Sequence, residues 1–221
     1  EPGSEARAAF AQSWSTALET LESDSTLGLA DQLSALRVRV RLARLGAPLE
    51  NVAALVEARV AAAIAEVDEP ALRHAVLNSG AGILADAGLL DDADSLLAGE
   101  LERSHSPFYF MHTLATVAKK RGDSARAIDW YEQAWNCAQG TATRLQWGAT
   151  YLQGLVDFAP HDVDRLDRLS GQIIDELSAM AGASSQRNGA QLMRIAEKLG
   201  AWTGRSDKTS ALRQLIARLA G

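Results

Sequence analysis

Six side chains of this chain have types and spacing that could do chemistry together: His105, Tyr109, His112, Arg144, Trp147 and Tyr151. Tyr109 and His112 stand at i, i+3, and Arg144, Trp147 and Tyr151 at i, i+3, i+7, so each set shares one side of its helix. If the two sides face each other, they form a groove with an aromatic floor and one fixed positive charge. Such a groove suits an extended peptide or a carboxylate, with Arg144 as the bidentate donor. Phe108, Phe110, Trp130, Tyr131 and Trp135 crowd the same stretch. Aromatic side chains at helical spacing also build cores, so the pattern is open to both readings.

Other chemistry is thinly supplied. His105 and His112 are seven apart rather than the i, i+4 pair of a helical zinc site, and His74 and His161 lack ligand-spaced partners, so no metal is expected. No Gly-x-Ser-x-Gly elbow occurs. The runs Asp91-Asp92-Asp94 and Asp162-Asp164-Asp167 are helix-start acids without calcium-loop spacing. The one cysteine, Cys137, excludes a disulfide framework and an internal redox pair, and it reads as a small buried hydrophobe. An all-α enzyme would require His105, His112 and Arg144 to converge in a pocket. No catalytic motif and no cofactor site is expected.

The elements that must position these residues are helices. Gly88 and Gly122 lie 34 residues apart, each closing the first helix of a two-helix repeat, and 34 is the tetratricopeptide (TPR) period. In the second unit Leu114 and Ala115 take the Leu-Gly position, and Ala127, Tyr131 and Ala134 the small, aromatic and small positions. The first unit keeps Ala81, Gly88, Ala93 and Leu97. Helical patterns cover 5–22, 29–45, 49–66, 71–87, 91–103, 107–121, 124–138, 142–158, 163–181, 190–202 and 207–219. In the first, Phe10, Trp14, Ala17, Leu18 and Leu21 form an apolar stripe. In the second, Leu29, Leu33, Leu36, Val40 and Leu45 turn inward, with Arg37, Arg41 and Arg44 on a solvated face. Pro48 falls in the first turn of the third helix, whose alanines and valines predict packing on two sides. Small residues from Asn78 to Gly82 predict close helix approach. Ser106-Pro107 and Asp162 mark helix starts, and Gly182–Gly189 a mobile loop before the last two helices, which Gly204 and Ser206 separate.

The expected fold is therefore all-α: about ten to eleven helices in antiparallel hairpins, stacked as a TPR-like right-handed array, with no sheet. It forms one domain over 1–221, with N-terminal helices 5–66, a TPR-like core 70–160 and C-terminal helices 161–221. Hydrophobic residues make up 47% and charged residues 23%, ample for a core under a polar surface. A formal charge of −6 argues against a nucleic-acid partner, and no apolar run reaches bilayer-spanning length. Glu1-Pro2-Gly3-Ser4 leads straight into the helical pattern, as at the mature end of an exported protein or the cut edge of a longer one.

The stretch Ser104-His105-Ser106-Pro107-Phe108-Tyr109-Phe110-Met111, with Gly122-Asp123, Asp129-Trp130-Tyr131 and Ala142-Thr143-Arg144-Leu145-Gln146-Trp147-Gly148, resembles the C-terminal helical region of certain bacterial exported thioredoxin-fold proteins of the disulfide isomerase-like kind. The resemblance is best over 70–160. It implies a periplasmic location and a helical accessory region that recognises substrates or docks a thioredoxin-fold domain. With one cysteine and no βαβ pattern, no redox residue carries over to any position here. Two functions follow: a non-catalytic module for a protein or peptide partner, or a part of a thiol-disulfide oxidoreductase whose active site lies outside this chain.

Overall fold

A computed structural model describes residues 2–47, 49–178 and 186–203. Among them are ten α-helices and no strand, so the chain is an all-α helical array. It divides into two compact units, Glu1–His105 and Ser106–Gly221, so the boundary falls inside the stretch 70–160 expected as one core. The first unit holds α1 (Pro2–Glu22), α2 (Leu29–Ala43), α3 (Val52–Glu66), α4 (Pro70–Ala87), α5 (Leu90–Ala98) and a short 3-10 turn, Leu101–Arg103. The second holds α6 (Pro107–Arg121), α7 (Ser124–Cys137), α8 (Thr141–Phe158), α9 (Val163–Ser178) and α10 (Gln186–Thr203). The expected helix 207–219, the break at Gly204 and Ser206, Pro48 and the loop residues 182–185 lie outside the described residues. The rest of that expected loop, from Gln186 on, belongs to α10.

Both repeat-marking glycines do the same work. Gly88 and Gly122 take φ of 93° and 77°, a left-handed conformation open to glycine and strained for other residues. The amide after each then reaches back five residues: Leu89 N–H to the Leu84 carbonyl and Asp123 N–H to the Ala118 carbonyl, both at 2.9 Å. This closes α4 and α6 so that α5 and α7 fold back as hairpins. At the other ends, Pro70 and Pro107 open α4 and α6, and the Glu69 carboxylate accepts from the Ala71 and Leu72 amides at 3.0 and 2.7 Å. Ser106 stands at the cap of α6 without bonding its helix through the side chain, so proline supplies that start. Asp162 caps α9 by accepting from the Arg165 amide. Gly99 splits the helix expected over 91–103.

The small residues of α4 admit close neighbours, as their sizes predict. A Cβ on Gly80 would stand 2.9 Å from Val60, and one on Gly82 2.6 Å from the Arg37 guanidinium.

Four expectations for the first unit are corrected, the first being Leu45, expected inward, which lies past the end of α2 and is exposed. Of the α1 stripe only Leu18 is buried; the helix is rotated so that Ala11, Ser15 and Glu22 turn inward and Phe10, Trp14 and Leu21 outward. The cause is polar: Arg39, itself buried, donates to both Glu22 carboxylate oxygens at 2.8 Å, and small Ala11 packs with Ala35 and Leu42. Arg37, Arg41 and Arg44 are not merely a solvated face: Arg41 and Arg44 are exposed and Arg37 half-buried, but all three share a partner. Arg37 and Arg41 bond the Asp86 carboxylate at 2.6 and 2.8 Å, and Arg44 bonds the Asp86 carbonyl, at the negative end of the α4 dipole. Finally, α3 packs on one side only, through Val56, Val60 and Ala63.

Candidate functional site

The structure brings some of the sequence-selected aromatics together and separates the others. Trp147 on α8 meets α6: its ring lies 5.6 Å from Phe108, 5.5 Å from Tyr109 edge-on, and 5.4 Å from His112. Trp147 is buried, however, and only Tyr109 opens to solvent, at 45% exposure. Trp147 is thus a wedge between helices, not the floor of a groove. Its indole N–H is buried without a hydrogen-bond partner among the described residues. His105 is exposed on the connection ahead of α6.

Arg144 and Tyr151, on the same broad side of α8 as Trp147, reach α7 and α9 rather than α6. The Arg144 guanidinium holds Glu176 on α9 at 2.6 and 2.9 Å, reaches the carbonyls of Trp135 and Ala138 at 3.2 and 3.4 Å, and lies 5.0 Å over the Trp135 ring. The cation expected to receive an incoming carboxylate already closes the end of α7 and ties it to α9. Tyr151 is buried; its hydroxyl accepts from Arg165 at 2.5 Å and donates to Glu132 at 2.9 Å. Burial pushes its ionisation well above the usual phenol range, and the Arg165 bond offsets part of that. Two turns of α8 therefore serve two interfaces, which the shared-side count does not separate.

His112 is wedged between the Tyr131 and Trp147 rings at 5.9 and 5.4 Å. Burial first, and Lys119 second, pull its pKa below the ordinary 6.5. A depressed histidine favours folding while neutral, so its contribution is intact above about pH 6.5 and falls away as the pH drops through the lowered native value. Thermal melts from pH 7.5 to 5 should show a fall in stability below about 6.5 that His112→Leu flattens. An unchanged slope in that variant would place the titration elsewhere. Cys137 is half-buried, its Sγ 3.7 Å from the Met111 sulfur, and burial pushes the thiol up, so it is no thiolate near neutrality. Among the described residues no three His, Cys, Asp or Glu side chains gather for a metal, and no helix is long and apolar enough to cross a membrane.

The second unit has a pocket of about 500 Å³ beside Pro160, Lys198 and Trp202, and a larger concavity lies in the first unit. Helices α2 and α3 each pack on α4 but meet each other little, leaving a trough between them. Leu29, Leu33 and Leu36 of α2 line one side and Ala62 and Ala63 of α3 the other; Leu33, Leu36 and Ala63 are themselves buried, and this end is a narrow crevice of about 80 Å³. Past the α1–α2 turn the trough widens into a cleft of about 890 Å³ reaching Val67, Leu72 and Val76. The turn is held firmly: Gln32 donates to the Asp24 and Leu27 carbonyls, and Asp24 accepts from the Thr26 hydroxyl and amide at 2.6 and 2.9 Å. Arg59 and Glu66 stand on the α3 rim at i, i+7, about 10.5 Å apart along the axis. Neither has an ion-pair partner among the described residues. The trough was half-legible in sequence: the alanine- and valine-rich α3 promised two packed sides, and the structure fills one.

No protein-family model matches the chain, and no curated protein matches its sequence. Among solved structures, it is similar in fold to BtubC (BKLC) from P. vanneervenii, with a TM-score of 0.51 at 14% identity, over 98% of this chain and 89% of that one. At that identity the likeness concerns the helical fold alone.

Proposed function

We infer that this chain is a non-catalytic interaction module that takes a helix of a partner protein into the trough between α2 and α3. The observation that carries this reading is the cleft of about 890 Å³ past the α1–α2 turn, lined by Leu27, Leu29, Val67, Leu72 and Val76 and rimmed by Arg59 and Glu66. The rim charges describe the partner: a helix with an apolar stripe, a carboxylate opposite Arg59 and a basic side chain opposite Glu66, two turns apart. The aromatic cluster of the second unit serves as scaffold in this reading, with Tyr109 at its accessible edge.

The test is fluorescence anisotropy with a synthetic amphipathic helical peptide bearing leucines at i, i+3, i+4, i+7 and a Glu and Lys seven apart. Binding should be saturable and abolished by Ala62→Trp, which fills the trough. Arg59→Glu should weaken it about tenfold, the loss of one partly buried charge pair, and a peptide with Lys in place of that Glu should restore it. Absence of binding, or binding indifferent to Ala62→Trp, would refute the reading.

A narrower reading makes the module a TPR-like accessory region of a periplasmic thioredoxin-family protein. It is supported by the 34-residue glycine spacing and by the family resemblance over 70–160. With Cys137 protonated, any thiol-disulfide chemistry would belong to an attached domain. Joining a thioredoxin-fold domain and finding its disulfide reductase activity unaltered would count against it.

A further inference from the structure

A second face stands apart from the trough. Phe10, Trp14 and Leu21 of α1 are 59%, 52% and 43% exposed, and Val38 and Leu45 of α2 are 40% and 45% exposed. These five lie on one flank of the α1–α2 hairpin. Its seam runs through Ala11 and Leu18 against Ala35 and Leu42, and Arg39 with Glu22 and Ser15 marks one flank. At about 100° per residue, Phe10, Trp14 and Leu21 are rotated from the α1 seam away from Glu22, and Val38 and Leu45 from the α2 seam away from Arg39. In an antiparallel pair those rotations reach the same flank. A Cβ on Gly46 would stand 3.5 Å from Ala8 Cβ, which sets Leu45 near the Phe10 end, and the Phe10 and Trp14 rings lie 6.0 Å apart, tilted at 53°.

We propose that this face joins two copies of the chain across a two-fold axis near Trp14 and Val38. Charge complementarity selects a second copy as the occupant. Exposed Arg7 flanks the Phe10 end of the patch and exposed Asp31 the Leu21 end, and neither has an ion-pair partner among the described residues. A two-fold axis through the middle turns the hairpin end for end, setting Arg7 of each copy against Asp31 of its partner. A 21-residue helix beside α2 offers a face about 31 Å long and about 20 Å wide, on the order of 600 Å² per copy. That is the low end of specific interfaces, so the dimer is reversible, with a dissociation constant in the micromolar range. The α2 trough residues lie on a different side of the helix, so this interface does not depend on the partner-helix reading.

Sedimentation equilibrium of the full chain from about 5 to 500 µM tests it. The expected result is a monomer–dimer equilibrium that Trp14→Glu reduces to monomer, with unchanged helix content by circular dichroism. Arg7→Glu should weaken association about tenfold, and adding Asp31→Arg should restore it. A monomer throughout the range, association that survives Trp14→Glu, or a double swap without rescue would overturn the proposal. A monomer that binds another protein through Trp14 would assign the face to a foreign partner instead, and so also overturn it.

Discussion

Replacing Arg39 with methionine should destabilise the chain by about 3–5 kcal/mol, the usual cost of removing one member of a buried ion pair. Arg39 is 8% exposed and Glu22 5%, and the guanidinium holds both carboxylate oxygens at 2.8 Å while its Nε reaches the Ser15 hydroxyl at 3.4 Å. Methionine fills similar space but leaves the Glu22 carboxylate buried with no counter-charge, and that desolvation is the source of the loss. The double replacement Glu22→Leu with Arg39→Met should therefore return most of the stability, because it removes the stranded charge as well. Urea unfolding of the four proteins measures the cycle. A loss under about 1 kcal/mol for Arg39→Met would mean that the pair behaves as a surface salt bridge and that the rotation of α1 has another cause.

Asp86→Ala should come next, at about 2–4 kcal/mol, through a different mechanism. The Asp86 side chain is 6% exposed and accepts from both Arg37 and Arg41. Without it, two guanidiniums from successive turns of α2 face each other with no charge between them, and Arg37 loses the contact that lays it across Gly82. Arg41 is 55% exposed and can swing into water, which keeps the cost below that of Arg39→Met. Asp86→Asn, which retains an acceptor, should recover part of the loss. Equal melting temperatures for Asp86→Ala and the parent would show that the arginines fix α2 on α4 by packing alone.

The two residues also mark what the sequence could convey. Helices were readable wherever local chemistry decides: Gly88 and Gly122 end α4 and α6 because a left-handed residue is needed there, and Pro70 and Pro107 open helices because they need no amide donor. Which way a helix faces depends on residues far along the chain. Phe10 and Trp14 looked like core until Arg39, remote in sequence, claimed the other side of α1 for Glu22. Arg37, Arg41 and Arg44 have correct helical spacing for a shared face, but their common partner Asp86 lies over 40 residues on. In the second unit the spacing left core and groove both open for the aromatics of 108–151, and it did not resolve which helix each residue of α8 meets. Arg144 and Tyr151 answer to Glu176, Glu132 and Arg165 on neighbouring helices, beyond what spacing within α8 can express. The trough was only half visible, because the composition of α3 marks its apolar side but not how far α2 stands from it.

The partner-helix reading is most directly tested by titrating the isotopically labelled full chain with the amphipathic peptide and following backbone amide signals. Saturable shifts should concentrate on residues 29–36 and 59–76, with the 105–151 region and the Phe10–Trp14 face unmoved. Shifts centred on Tyr109 and His112, or on the α1 face, or none at all, would contradict it.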